Sequence, residues 1–139
     1  MKKRWVGLGL ALTIICTSMS AFAQNNVDTE LPNKKVAFAY STAADTALRR
    51  KEDSTSHYIK NTSGFDLWVV SKNSAGVNRT YKNHAIIPTT KEWSIYNSVF
   101  ESGDQYCKLS ITSAKSGVSG YVKGVWSPDC YGYVSPANP

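Results

Sequence analysis

Between Tyr106 and Thr112 the chain alternates without a fault. Cys107, Leu109 and Ile111 fall on one side; Tyr106, Lys108, Ser110 and Thr112 fall on the other. A period of two belongs to an extended strand with one face on a core, and no helix satisfies it. Glu101–Gln105 supplies a Gly-containing turn before this strand, and Lys115–Gly117 supplies one after it. Upstream, Trp93–Phe100 puts Trp93, Ile95 and Val99 on one side. Downstream, Val118–Trp126 puts Gly120, Val122, Gly124 and Trp126 opposite Tyr121, Lys123 and Val125. Three strands joined by short turns predict an antiparallel meander.

The first half is less regular but of the same kind. Val36–Tyr40 reads as a first strand with Val36, Phe38 and Tyr40 on one face, and Ser41–Lys51 as an irregular connection. His57–Asn61 alternates and ends at a turn cluster, Asn61–Gly64. Phe65–Val70 is apolar on both faces apart from Asp66, the mark of a central strand with Leu67 and Val69 toward the core. Ser71–Asn78 reads as a loop and Arg79–Asn83 as a brief edge strand. No ten-residue stretch after Gln24 carries a helical period. The predicted class is therefore all-β, a small antiparallel β-sandwich with a C-terminal three-strand meander.

The N-terminus sets the compartment. Met1–Arg4 is basic, Trp5–Cys16 is apolar, and Ala21–Ala23 is a small-x-small cleavage signal. These parts make a secretory signal peptide, with an apolar run too short to anchor in a bilayer. Cys16 follows Ile15 inside that run, whereas lipoprotein processing wants a small residue just before the cysteine. Cleavage near Ala23 predicts a secreted chain starting at Gln24. Residues 1–23 are the signal peptide, 24–35 a flexible lead-in, 36–130 one β domain and 131–139 a short C-terminal tail.

Processing removes Lys2, Lys3 and Arg4 and no acid, so 13 basic residues face 10 acidic ones and the charge falls from +6 to +3. That is mild for a nucleic-acid binder, and no nucleic-acid partner is expected. It does suit residence at an anionic bacterial cell wall or membrane surface. Arg49–Lys51 is a basic run answered at once by Glu52 and Asp53.

Two cysteines remain, Cys107 and Cys130. An exported chain with two cysteines points to one disulfide, and the ends of neighbouring antiparallel strands would bring these two together. Such a bridge closes a loop of about 24 residues, worth ~3 kcal/mol in the loop-entropy account. Two free thiols are the alternative.

Two segments carry a resemblance, Lys51–Lys60 (KEDSTSHYIK) and Gly124–Asp129 (GVWSPD). With the signal peptide they resemble small secreted proteins of Gram-positive bacteria grouped as domain of unknown function 2712. The resemblance spans about residues 34–130 and implies a secreted β-protein with no assigned catalytic residues. A looser similarity in size, β-pattern and late Trp runs to lactococcin 972-like bacteriocins.

Chemistry is sparse in the sequence. His57 and His84 are the only histidines, too few and too far apart to join the cysteines in a metal site, so no metal or cofactor is expected. His57 reads as a half-exposed neighbour of Tyr58. No serine sits in a Gly-x-Ser-x-Gly elbow, and Asp66, Glu101 and Asp129 lack partners at a recognisable spacing, so no enzyme activity is expected. In Trp126–Asp129, Pro128 fixes a turn, Asp129 bonds nearby backbone N–H groups and Trp126 plugs the sandwich end.

Aromatic residues remain as the functional lead. Tyr96, Tyr106 and Tyr121 fall opposite the inferred core on three strands expected to be neighbours. Such a row could contact a sugar, a membrane interface or a protein; cross-strand pairing that only stabilises the sheet is the plainer alternative. The expected function is a secreted, non-enzymatic β-protein acting at cell surfaces, with a bacteriocin-like toxin set against a cell-wall or carbohydrate-binding module.

Overall fold

A computed structural model describes residues 25–39 and 42–139. The predicted signal peptide and Tyr40 lie outside the described residues. In chain order the strands are β1 (Thr29–Glu30), β2 (Lys35–Val36), β3 (Ala44–Asp45), β4 (Arg49–Arg50) and β5 (His57–Asn61). They continue with β6 (Leu67–Asn73), β7 (Ala85–Ile87), β8 (Glu92–Ile95), β9 (Tyr106–Ser113), β10 (Gly120–Tyr121) and β11 (Gly124–Ser127).

All strand pairings are antiparallel, and the protein is all-β as its periodicity predicted. One sheet runs β1-β11-β5-β8. The other centres on β6 and β9, with β7 on one side and β3 and β4 sharing the far edge of β9. A small pair, β2 with β10, completes the set. Ile59, Ile95 and Trp126 from the first sheet join Leu67, Val69, Ile87, Leu109 and Ile111 from the second in one buried apolar cluster. Each such aliphatic side chain stabilises by roughly 1.5–3 kcal/mol relative to exposure.

The predicted inward faces are those of the structure for Leu67, Val69, Cys107, Leu109, Ile111, Val122 and Trp126, all essentially inaccessible. The predicted meander is not. β8 pairs with β5, β9 with β6, and β11 with β5, so the three strands are not neighbours. Val118–Trp126 fails as one strand because Gly124 breaks it. Its φ is +138°, and a Cβ there would stand 2.0 Å from the Lys60 carbonyl oxygen. Only glycine allows that backbone angle and that approach. Before the break the chain pairs with β2; after it the chain pairs with β5.

Two further expectations change. Residues 24–35, read as a flexible lead-in, carry β1, which pairs Thr29 with Trp126 and Glu30 with Val125. The Arg49 guanidinium fastens the same segment by donating to Asn25 Oδ1, the Val27 carbonyl and Thr29 Oγ1. Residues 131–139 lie along β8: Pro136 bridges Ser94 in parallel, and buried Asn138 donates to the Tyr81 and Tyr96 carbonyls. Backbone bonds and side-chain amides can hold a segment with no apolar period. Arg79–Asn83 forms a short 3-10 turn at Tyr81–Asn83 rather than an edge strand.

Candidate functional site

A buried ion pair lies where the loop after β4 meets the loop after β11. Lys51 and Asp129 are both fully buried and in direct contact, Nζ against Oδ1. Lys51 also donates to the Thr55 carbonyl, and its Nζ stands 3.6 Å from Asp53 Oδ1. The second Asp129 oxygen, Oδ2, accepts from the backbone N–H of Asn25 at 2.8 Å and of Glu52 at 3.1 Å. A buried charge persists only when paired and hydrogen-bonded, and both are supplied here.

His57 extends this centre toward the second sheet. It is not the half-exposed neighbour of Tyr58 that its strand position suggested; it is 0 % exposed. Alternation places it inward at the start of β5, beside Ile59 and Asn61 on the same face. Its Nδ1 lies 2.7 Å from the Pro128 carbonyl, so Nδ1 carries the hydrogen and donates. Nε2 then accepts from the Ser71 hydroxyl at 2.6 Å, which joins β5 to β6 across the core. Burial, followed by the Lys51 charge, lowers the imidazole pKa to about 3. The ring also meets Trp126 edge-on at 5.9 Å.

The predicted Cys107–Cys130 bridge is absent: both are buried free thiols. Its geometric premise was that the strands of Cys107 and Cys130 are antiparallel neighbours, and they belong to different sheets. Burial raises the Cys107 pKa to about 12 and raises that of Cys130 as well, which suppresses the reactive thiolate at both.

Beside the buried centre a groove of about 410 Å³ opens to solvent. Ser54, Thr55 and Ser56 line one side, Ser94, Tyr96, Asn97 and Glu101 another, and Cys130 and Gly132–Val134 a third. Its two rings are accessible, Tyr96 at 41 % and Tyr133 at 86 %. Tyr96 and Asn97 also line a second groove with Tyr81 and Lys82, and the Tyr81 and Tyr96 rings meet edge-on at 6.4 Å.

The predicted row of three tyrosines is therefore dispersed. Tyr96, Tyr106 and Tyr121 are exposed as expected, but they stand on β8's outgoing end, β9 and β10, in three different sheets. Only Tyr96 reaches the groove. Sequence reasoning missed Tyr133, left in a supposed tail, and the Lys51–Asp129 pair, whose members are 78 positions apart. A wholly polar turn ending in Pro128-Asp129 beside a buried Trp was the one available signal for Asp129.

The structure also brings together the two segments on which the family resemblance rests. The first ends in β5, of which it holds all but Asn61; β5 pairs with β11, which lies within the second, and Lys51 of the first meets Asp129 of the second. No curated protein and no solved structure matches the chain. A family model described as a protein of unknown function, DUF2712, matches residues 19–130 and stops short of Gly132–Val134 in the groove wall. The chain belongs to the DUF2712 family of proteins of unknown function.

Proposed function

We propose that this is an exported, non-enzymatic protein that acts at the bacterial cell surface by holding wall glycan in the Tyr96–Tyr133 groove. The observation that carries this is that two exposed phenol rings share a groove lined by the hydroxyls of Ser54, Thr55, Ser56 and Ser94 and the amide of Asn97. Sugar rings present apolar faces that stack on aromatic rings and hydroxyls that exchange hydrogen bonds with Ser, Thr and Asn. The groove's size falls within the range of ordinary small-ligand sites. The mild positive charge favours approach to an anionic wall.

Purified peptidoglycan should sediment the protein. Tyr96→Ala combined with Tyr133→Ala should lower retention by roughly 10-fold or more, the scale of two lost ring contacts. Tyr106→Ala and Tyr121→Ala, on other sheets, should sediment like the parent. Equal retention of the double variant, or no retention of the parent, overturns the proposal.

A further inference from the structure

Lys51 and Asp129 are placed as the two partners of a condensation. The amine touches one carboxyl oxygen, and both side chains are removed from solvent. The other oxygen faces two backbone N–H donors, those of Asn25 and Glu52. Paired amides on one oxygen stabilise the oxyanion that develops when an acyl carbon is attacked. A third group completes the set: the Asp53 carboxylate is 3.6 Å from the same amine and is oriented by the Thr55 N–H and hydroxyl. At 3.6 Å that carboxylate stands just beyond hydrogen-bond reach of the amine, and it has to close by a few tenths of an ångström to carry a proton between the amine and a leaving oxygen. A dry site also removes the water that would compete with the amine.

We propose that Lys51 and Asp129 join in an intramolecular isopeptide bond, with Asp53 as the proton carrier. A proton first passes from Nζ to Oδ1, which leaves a neutral amine against a carboxylic acid. The Nζ lone pair attacks Asp129 Cγ; the C–N bond forms as the carbonyl electron pair moves onto Oδ2, under the Asn25 and Glu52 amides. Asp53 takes a proton from Nζ and delivers it to the Oδ1 hydroxyl. That group departs as water while the Oδ2 electrons restore the carbonyl, now an amide. One water leaves, Asp53 returns to its starting state, and no oxidant or second reactant is consumed. Lys51 follows β4 in one sheet and Asp129 follows β11 in the other, so the bond ties the two sheets across 78 positions of chain.

Intact mass of the purified, thiol-reduced protein tests this. From its observed N-terminus the protein should be one water molecule lighter than its sequence. Digestion should release a branched peptide in which Lys51 and Asp129 are joined. Lys51→Arg keeps the cation and removes the nucleophile, so it should carry the full mass. Asp53→Asn should keep the parent's circular dichroism and, followed by intact mass from the time of synthesis, lose the water roughly 100-fold more slowly than the parent. The parent at full mass, with Lys51 open to trypsin once unfolded, overturns the bond whatever the variants do. A water-deficient Lys51→Arg places the deficit elsewhere and overturns it too. An unchanged rate in Asp53→Asn removes the carrier from the mechanism.

Discussion

The Lys51–Asp129 centre and the Tyr96–Tyr133 groove share a wall, since Thr55 and Cys130 touch both. Thr55 accepts from Lys51 through its carbonyl and from the Cys130 N–H through its hydroxyl, and the same two residues line the groove. On the inner side the charged and imidazole groups have protein partners, Lys51 with Asp129, Asp129 with two amides, and His57 with Pro128 and Ser71. On the outer side the rings stand in solvent at 41 % and 86 % exposure. Polar groups that are buried must be satisfied or the fold loses stability; groups in a groove can wait for a ligand. The inner side should therefore govern folding and the outer side binding.

The sharpest break in that division is Asp129→Ala. It leaves the Lys51 charge in the interior and strips two backbone N–H groups of their acceptor. A loss of about 3–5 kcal/mol is expected in urea unfolding, more where an amide had joined the pair. Lys51→Met with Asp129→Leu should recover much of that loss, because apolar replacements leave no orphaned charge. An unfolding midpoint unchanged in Asp129→Ala would contradict the assignment of stability to the inner side.

His57 provides the next largest effect. The folded imidazole stays neutral down to about pH 3, whereas in the unfolded chain it takes a proton near its ordinary pKa of 6.5. Between those values the unfolded state binds the extra proton, so acidification favours unfolding. The contribution is fully present above the unfolded pKa and falls by about 1.4 kcal/mol per pH unit below it. The window from roughly pH 5.3 to 6.5 lies above most carboxylate titration. His57→Gln should flatten the stability curve there; an equal slope in parent and variant would show that the ring is not held neutral.

The two regions also differ in how far the sequence exposed them. Alternation over Tyr106–Thr112 and the apolar run at Leu67–Val70 placed Leu67, Val69, Leu109 and Ile111 correctly, because burial of one strand face is a local constraint with a local period. Which strand pairs with which is not local. The turn after β9 reads like a hairpin, yet it delivers the chain to β2 and then, past Gly124, to β5. That reassignment explains why the tyrosine row and the disulfide failed together, since both assumed neighbouring strands. Lys51 stands in a basic run that Glu52 and Asp53 answer at once, and nothing in the nearby sequence announces Asp129. Tyr133 was hidden for a related reason: a tail without period is held by Asn138, the Ser94 hydroxyl and a backbone bridge, features no hydrophobic pattern reveals.

The smallest expected stability change lies on the outer side. Tyr133 is 86 % exposed, and the tail that carries it is fixed through other groups: the Val134 carbonyl accepts from Ser94 Oγ, and the Ala137 N–H donates to the Ser94 carbonyl. Truncating the ring leaves those bonds in place and uncovers little of the core. Tyr133→Ala should therefore unfold within about 0.5 kcal/mol of the parent. Tyr96→Ala should lose slightly more, through its edge contact with Tyr81, although its backbone bonds to Asn138 survive. Parallel urea titrations of the two variants measure this directly. A loss above about 2 kcal/mol for Tyr133→Ala would make the ring a structural prop and join the groove to the folding core. A near-zero loss separates the ring from folding, which the glycan-binding proposal requires of it.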